Sequence, residues 1–199
     1  MKKILKNKRA IGVSVSIFLV LFICYLIGQN IVLPARLAKE GSLTFDEKVP
    51  VYSFVQNKDA VQYPENVQRD DVPGGLSANY MVLDGNQKVF FMTPSSTITS
   101  NLTIDNSWKR MSMVCAFHPG IAEGISDGAN VTVEIVDIED NSVIYSEIVE
   151  IPSINTAEAM ELDLNAYCGK NVEIVLTCDA GQNGDESGDW IIIKNWAID

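Results

Sequence analysis

Apolar and polar residues alternate in short runs from Ser42 onward, with turn residues between the runs. Alternation with a period of two is typical of a half-buried strand. Val131–Asp137 is the clearest case, because valine and isoleucine alternate there with Thr132 and Glu134. No stretch after residue 41 has a convincing helical period. The pattern therefore predicts about ten short strands that form an all-β, antiparallel sandwich.

Turn residues indicate how these runs connect. Asp84-Gly85 is a strong tight-turn signal between Asn79–Leu83 and Gln87–Met92, and it predicts a hairpin. Residues 57–79 are polar and contain proline and glycine, so we expect a long loop there. The other predicted strands are Ser42–Phe45, Val49–Val55, Ile98–Ile104, Lys109–Phe117, Ser142–Ile151 and Ala157–Leu164.

The last part of the chain contains two further runs, Asn171–Cys178 and Asp189–Asp199, joined by the acidic, glycine-rich segment Asp179–Gly188. Both runs carry β-branched and aromatic residues, which predict strands, and we interpret them as a hairpin. Trp190 and Trp196 share strand parity, so they would face the same way unless a bulge intervenes. Isoleucines at the same parity favour the core for this pair.

A pattern of another kind precedes the strands. Ala10–Gly28 is a run of nineteen uncharged residues. At about 1.5 Å per helical residue, it is long enough to cross the roughly 30 Å hydrocarbon core of a membrane. Five basic residues come before it, and basic flanks stay on the cytoplasmic side. We expect a cytoplasmic tail at 1–9, a single-pass signal-anchor helix in the cell membrane at 10–28, a linker at 29–41 and an extracytoplasmic domain at 42–199.

A cleaved signal peptide is the competing interpretation of the first residues. The apolar run is longer than the roughly 7–15 residues of most signal peptides. The nearest small-x-small motif, Leu33-Pro34-Ala35, is poorly formed. Both features favour an uncleaved anchor whose helix contacts membrane lipid, and the question of cleavage stays open at this stage.

Charge divides the chain sharply. Residues 1–41 carry seven basic residues and one acidic residue, a net charge of +6, and because the whole chain carries −11 the remainder carries −17. A domain this acidic repels nucleic acid and anionic surfaces, so we expect no nucleic-acid partner. Its charge suits neutral or cationic ligands.

Three cysteines, Cys115, Cys168 and Cys178, lie in the expected outer domain. An extracytoplasmic location permits a disulfide. Cys168 and Cys178 are about a strand length apart, which is too far for a bond that needs Cα atoms within about 7 Å. Cys115 could reach either of them, but three small buried thiols are the preferred interpretation.

Short motifs over residues 85–199 resemble one bacterial fold family. Asp163–Lys170 is close to a D-L-S-A-Y-A-G-K turn of that family, with Asn165 and Cys168 in place of serine and alanine. The accompanying motifs, in the same order, are Thr93–Thr99, Met111–Phe117, Ser126–Gly128, Val131–Ile135, Asn183–Asp185 and Asp189–Trp196. The chain thus resembles the galactose-binding-like and NPCBM-like jelly-roll modules of extracellular glycosidases and membrane glycosyltransferases.

The resemblance implies a jelly-roll sandwich that binds carbohydrate, with a surface polysaccharide as its partner. The alternative is a noncatalytic accessory subunit that docks on a membrane glycosyltransferase or a polysaccharide export system. The residues give little support for an enzyme, because His118 is the only histidine and lies in a turn after a strand. One fold hosts many functions, so the fold does not name the ligand.

Aromatic side chains near loops are the candidate sugar-binding residues, because an aromatic face presents an apolar surface beside polar rims. Trp108 is expected at the start of a strand, and the tyrosines are expected near loops. The candidates are Tyr52, Tyr63, Tyr80, Trp108 and Trp190.

Oxygen ligands on the flexible acidic loop suit calcium, a cofactor that the resemblance also implies. The candidate ligands are Asp179, Asp185, Glu186 and Asp189. The alternative is a solvated turn in which Asp189 caps backbone amides.

Overall fold

A computed structural model describes residues 50–199 of the 199-residue chain. The predicted strand Ser42–Phe45, the signal-anchor helix at 10–28 and the linker at 29–41 lie outside the described residues. Between residues 50 and 199 the regular structure consists of strands and short 3-10 turns. In this part of the chain no helix is long and apolar enough to cross a membrane.

Residues 50–199 form eleven strands, which confirm the all-β prediction. The predicted run Val49–Val55 shortens to a two-residue strand, and the predicted loop at 57–79 contains another short strand and two helical turns. The strands are β1 (Tyr52–Ser53), β2 (Val61–Gln62), β3 (Ala78–Val82), β4 (Lys88–Met92), β5 (Ser96–Thr103), β6 (Arg110–Phe117), β7 (Ala129–Asp137), β8 (Ser142–Ile151), β9 (Ala157–Asp163), β10 (Asn171–Ala180) and β11 (Ile191–Ile198). The 3-10 turns are Lys58–Ala60, Pro73–Gly75, Asp84–Asn86 and Asn165–Tyr167.

The strands form two antiparallel sheets. The first sheet has the order β3–β4–β11–β6–β9. β4 pairs with the N-terminal part of β11, and β1 pairs with the C-terminal end of β11 at Ala197 and Ile198. The second sheet has the order β2–β5–β10–β7–β8. The predicted hairpin around Asp84-Gly85 is confirmed, because β3 pairs with β4.

The strand order is that of a jelly roll. Strands β4 to β11 pair as a nested set, in which β4 lies beside β11, β5 beside β10, β6 beside β9 and β7 beside β8. The chain therefore behaves like one long hairpin that is folded over into two sheets, which is the double Greek-key arrangement. This topology confirms the predicted architecture of the strand-rich domain.

The core lies between the two sheets. Met111, Met113 and Cys115 of β6 face Ile174 and Leu176 of β10 across it, and all five side chains are buried. The predicted strand Lys109–Phe117 thus lies in the core as β6, with its odd-numbered residues on the inner face. Cys115 and Cys178 are buried free thiols and Cys168 is a half-buried one, so the described cysteines form no disulfide.

The predicted hairpin between Asn171–Cys178 and Asp189–Asp199 is wrong. β10 pairs with β5 and β7 in the second sheet, whereas β11 pairs with β4 and β6 in the first. Other strands satisfy the backbone groups on both sides of each strand, which leaves no edge for the two to share. The acidic loop between them therefore crosses from one sheet to the other.

A β-bulge around Asn195, which has a φ of 52°, changes the facing of the last strand. Because the bulge adds one residue, Trp196 joins Ile193 on the inner face, and it is fully buried. Ile192 lies on the outer face, and Trp190 packs beside it. The two tryptophans therefore do not point to the same side of the sheet, because the bulge lies between them. Of the two, only Trp196 is a core residue.

A second, smaller apolar cluster lies on the outer face of the first sheet. Val89, Phe91, Ala116 and Ile192 are buried there, and Val72 packs against them. Val72 belongs to the connection between β2 and β3, so part of the predicted long loop lies on this face. This connection therefore covers part of the outer face of the first sheet.

Candidate functional site

Tyr52 and Trp108 meet at one end of the sandwich. Their ring centroids are 5.6 Å apart, and the ring planes are tilted by 45°. Both side chains are half-buried and pack on the core. Burial raises the pKa of the Tyr52 hydroxyl, which stays protonated at neutral pH. We call Tyr52, Trp108 and the turn at 105–107 the Trp108 surface.

The core holds the Trp108 surface in place. Tyr52 contacts Phe54 edge-on at 5.0 Å, and Phe54 stacks on Trp196 at 3.9 Å with planes 10° apart. Phe54 and Trp196 are both fully buried. β1 places Tyr52 there, because it pairs with the end of β11 at Ile198. An aromatic pair supported in this way is preorganised, because little side-chain freedom remains to be lost on binding.

A polar turn borders the aromatic pair. The Trp108 amide donates to the Asp105 carbonyl at 3.0 Å, which closes the turn. The Ser107 amide and hydroxyl both donate to Asp105 Oδ1, at 2.8 and 2.6 Å. These two hydrogen bonds lower the pKa of the exposed Asp105 carboxyl, which is ionised at neutral pH. The turn therefore fixes the orientation of a carboxylate three residues before Trp108.

The nearest guanidinium is already paired. Arg110 donates to Asp199 at 2.9 Å and to Glu161 at 3.1 Å. Both partners are partly exposed, so these pairs contribute little to stability, but they occupy the guanidinium. Lys109 is exposed beside it. Carboxylates thus neutralise Arg110, whereas Lys109 has no salt bridge among the described residues.

Tyr63 and Tyr80 lie along the side of the sandwich rather than at its Trp108 end. Tyr80 packs against Phe90 at 6.0 Å, and the Lys58 ammonium is 5.6 Å from the Tyr80 ring centroid. The Tyr63 hydroxyl is buried and has no hydrogen-bond partner among the described residues. Burial and the neighbouring Tyr80 raise the pKa of Tyr63 to about 12. Both rings are half-buried and pack on the core, as those of Tyr52 and Trp108 do, but Tyr80 contacts the buried Phe90 rather than a second half-exposed ring.

Trp190 lies at the opposite end of β11 from Tyr52. Its ring is 6.1 Å from that of His118 and 6.5 Å from that of Phe91. His118 Nδ1 accepts a hydrogen bond from the Gly120 amide at 3.0 Å, and burial lowers the pKa of the imidazole. His118 is therefore neutral at neutral pH, with its proton on Nε2. Sequence reasoning placed His118 in a turn and did not reveal its contact with Trp190.

Asp189 is completely buried where the loop between β10 and β11 meets the loop between β6 and β7. The Ser126 hydroxyl donates to Asp189 Oδ1 at 2.5 Å, whereas Oδ2 has no partner among residues 50–199. Burial raises the pKa of Asp189 to about 6, and the hydrogen bond from Ser126 opposes the rise. The two loops approach closely, because a Cβ on Gly181 would lie 2.6 Å from the Gly128 carbonyl oxygen.

The other candidate calcium ligands do not share the environment of Asp189. Asp179, Asp185 and Glu186 are exposed. Asp185 accepts a hydrogen bond from the Ser187 amide at 2.9 Å, as an ordinary turn carboxylate does. Within residues 50–199, no three His, Cys, Asp or Glu side chains gather closely enough to hold a metal ion. The calcium site stays a prediction.

The structure thus distributes the five candidate aromatic residues over three places. Tyr52 and Trp108 form one surface at a loop-bearing end, Tyr63 and Tyr80 line the side, and Trp190 is separate. Only the first pair combines ring-to-ring contact, partial exposure and a polar turn. Sequence parity did not reveal that pairing, because the two residues are 56 positions apart in sequence and meet only through β11.

Comparison with known proteins gives likeness in fold alone. No protein-family model matches the chain, and no curated protein matches it by sequence. CBM51 from Clostridium perfringens GH95, solved in complex with methyl-galactose, has a TM-score of 0.48 and 12% identity over 76% of this chain and 100% of its own. TmCBM61 in complex with β-1,4-galactotriose has a TM-score of 0.40 and 11% identity over 72% of this chain and 83% of its own. These values concern architecture and do not identify a ligand site.

Proposed function

We propose that this domain is a noncatalytic carbohydrate-binding module that uses the Trp108 surface. The observation that supports the proposal is the contact between Tyr52 and Trp108, 5.6 Å apart and fixed on a stacked aromatic core. Aromatic faces bury the CH groups of a sugar ring, while the ring edges and nearby polar groups remain hydrated. The Asp105 turn supplies an acceptor for sugar hydroxyls beside that apolar surface.

The cellular setting is the second part of this proposal. A basic segment followed by nineteen uncharged residues supports a single-pass anchor that leaves the domain on the outer side of the cell membrane. The strongly acidic domain is compatible with a neutral surface glycan as its ligand. The ligand would then be a polysaccharide of the cell envelope.

Substitution of Trp108 tests this proposal. Trp108→Ala in the full-length protein in detergent should weaken binding to soluble polysaccharides at least tenfold, or roughly 1.4 kcal/mol, because central aromatic contacts dominate most interfaces. Affinity gel electrophoresis against a panel of neutral and charged polysaccharides measures the change. Trp190→Ala is the matched control and should bind like the wild type. Loss of binding in the control alone would assign the ligand to the other end of the domain, and no binding to any polysaccharide by the wild type would overturn the proposal.

A docking role is the second candidate, and one observation favours it. Ile138, Val143 and Ile148 are 43%, 53% and 58% exposed on or beside the β7–β8 hairpin. Exposed apolar side chains grouped in this way suit contact with a protein partner, such as a membrane glycosyltransferase or an export subunit. Val143→Glu together with Ile148→Glu should then abolish copurification of a glycosyltransferase and leave glycan binding unchanged. Unchanged copurification would remove this candidate.

A further inference from the structure

We infer that the Trp108 surface selects a neutral sugar residue at a chain end or a bend, and that Asp105 is the side chain that accepts its hydroxyl hydrogen bonds. This inference rests on the proposed carbohydrate-binding function and narrows it to a ligand class. Three independent features of the surface lead to it: ring tilt, the environment of one carboxylate, and local charge.

Ring tilt argues against a flat ligand. The planes of Tyr52 and Trp108 differ by 45°, so the two rings do not form one flat surface. A flat polysaccharide face packs on coplanar rings, because only then do both rings bury apolar area at the same time. A single sugar ring, or a chain that bends between the two rings, does not need coplanar rings. The stacked core beneath Tyr52 prevents that ring from rotating freely into plane.

Asp105 has an oxygen available for a ligand. Its Oδ1 accepts from the Ser107 amide and hydroxyl, which fixes the orientation of the carboxylate, and Oδ2 is left for other donors. Asp105 and Trp108 stand at the two ends of one closed turn. The carboxylate is therefore within one turn of the indole along the chain, and we place it as the acceptor for the rim hydroxyls of a sugar that lies on that ring. Hydrogen bonds to a charged acceptor are about twice as strong as neutral ones.

Local charge disfavours an anionic ligand. Arg110, the guanidinium nearest the turn, donates to both Asp199 and Glu161. Lys109 is the exposed cation beside it, and the ionised Asp105 lies on the same short segment. A uronic acid or phosphate group would meet these three carboxylates against two cations, of which only Lys109 has no salt bridge among the described residues. A neutral sugar carries no such penalty, because hydroxyl groups donate readily to carboxylates.

The test uses Asp105→Asn, a substitution that keeps the shape of the turn and removes the charge. Asp140→Asn is the matched control, because Asp140 also accepts the amide of a residue two positions on, Ser142, in the exposed β7–β8 turn. The full-length protein in detergent is tested with galactan oligosaccharides, with polygalacturonate and with microcrystalline cellulose. We expect measurable binding to the neutral oligosaccharides only, weakened roughly tenfold or more in Asp105→Asn and unchanged in Asp140→Asn.

The possible results distinguish a failure of this inference from a failure of the proposed carbohydrate-binding function. Equal or stronger binding to polygalacturonate or to cellulose would overturn the inference while keeping carbohydrate binding. Wild-type affinity in Asp105→Asn would overturn the role of Asp105. Binding to none of the three probes, with the fold verified by circular dichroism, would count against the inference and the proposed function together.

Discussion

Asp189 is a carboxyl group that the fold holds away from water with only one of its oxygens paired. Burying a carboxylate is costly, so the neutral form is favoured and the pKa rises to about 6 from an ordinary value of 3.8. The sequence did not predict that Asp189 is buried while its acidic neighbours are exposed, since burial depends on where the two loops meet. Asp105 was not among the predicted site residues, although an aspartate two positions before a serine is a local signal for a turn of this kind.

Stability should depend on the protonation of Asp189. Because the pKa is raised in the folded state, its contribution is fully present below about pH 4 and is lost as pH rises through about 6. Asp189→Asn cannot ionise, so we expect the thermal midpoint of the variant, relative to the wild type, to rise as pH is raised from about 4 to about 7. Thermal unfolding followed by circular dichroism over this range measures the difference.

Asp185→Asn gives a contrasting control. The pKa of Asp185 is lowered by the hydrogen bonds from Ser187, so its contribution is present above the ordinary pKa and is lost as pH falls. The two variants should therefore differ from the wild type in opposite directions across the acidic range. Parallel curves for Asp189→Asn and the wild type would mean that the buried carboxyl does not titrate as described.

At the scale of the element, turn signals and alternation predicted most strands because both are local. Asp84-Gly85 predicted the β3–β4 hairpin, and the alternation of residues in β7 predicted which of its side chains face the core. The same reasoning joined β10 and β11 wrongly, since a loop sequence does not tell whether the flanking strands pair or enter different sheets. The bulge at Asn195 also escaped prediction, although asparagine tolerates the left-handed region better than most residues.

The bulge at Asn195 should therefore determine that Trp196 points into the core. A β-branched side chain at a φ of 52° is strained, so Asn195→Val should lower the free energy of unfolding by about 1–3 kcal/mol. Asn195→Gly removes the strain and should stay close to the wild type. Urea unfolding followed by tryptophan fluorescence compares the variants. Equal stability of the valine and glycine variants would show that the bulge can relocate at no cost.

At the scale of the whole molecule, the all-β class followed from the pattern of strands, and the jelly-roll architecture was implied by the family resemblance of the motifs. The site did not follow in the same way. Tyr52 and Trp108 were both candidates, but their contact depends on β1 pairing with β11 across most of the chain. Long-range pairing of this kind is set by the packing of the complete sandwich, which no local stretch of sequence encodes.

Folding should be slow for a domain of this size. Strand pairs such as β4–β11 and β5–β10 join segments that are far apart in sequence, and such topologies fold in roughly milliseconds to seconds. Stopped-flow refolding from urea, with the fully buried Trp196 as the reporter, measures the rate. Trp108→Phe and Trp190→Phe remove the other two tryptophans. Refolding within microseconds would contradict the expectation.

The position of β11 in the middle of the first sheet has a consequence for biosynthesis. β4, β6 and β1 all depend on it for a partner, and Trp196 carries the aromatic stack beneath Tyr52. While a ribosome still encloses residues 191–198, the emerged chain lacks the strand that closes its core. The nascent domain must therefore remain open until those residues are released, and its apolar strands stay exposed during that interval.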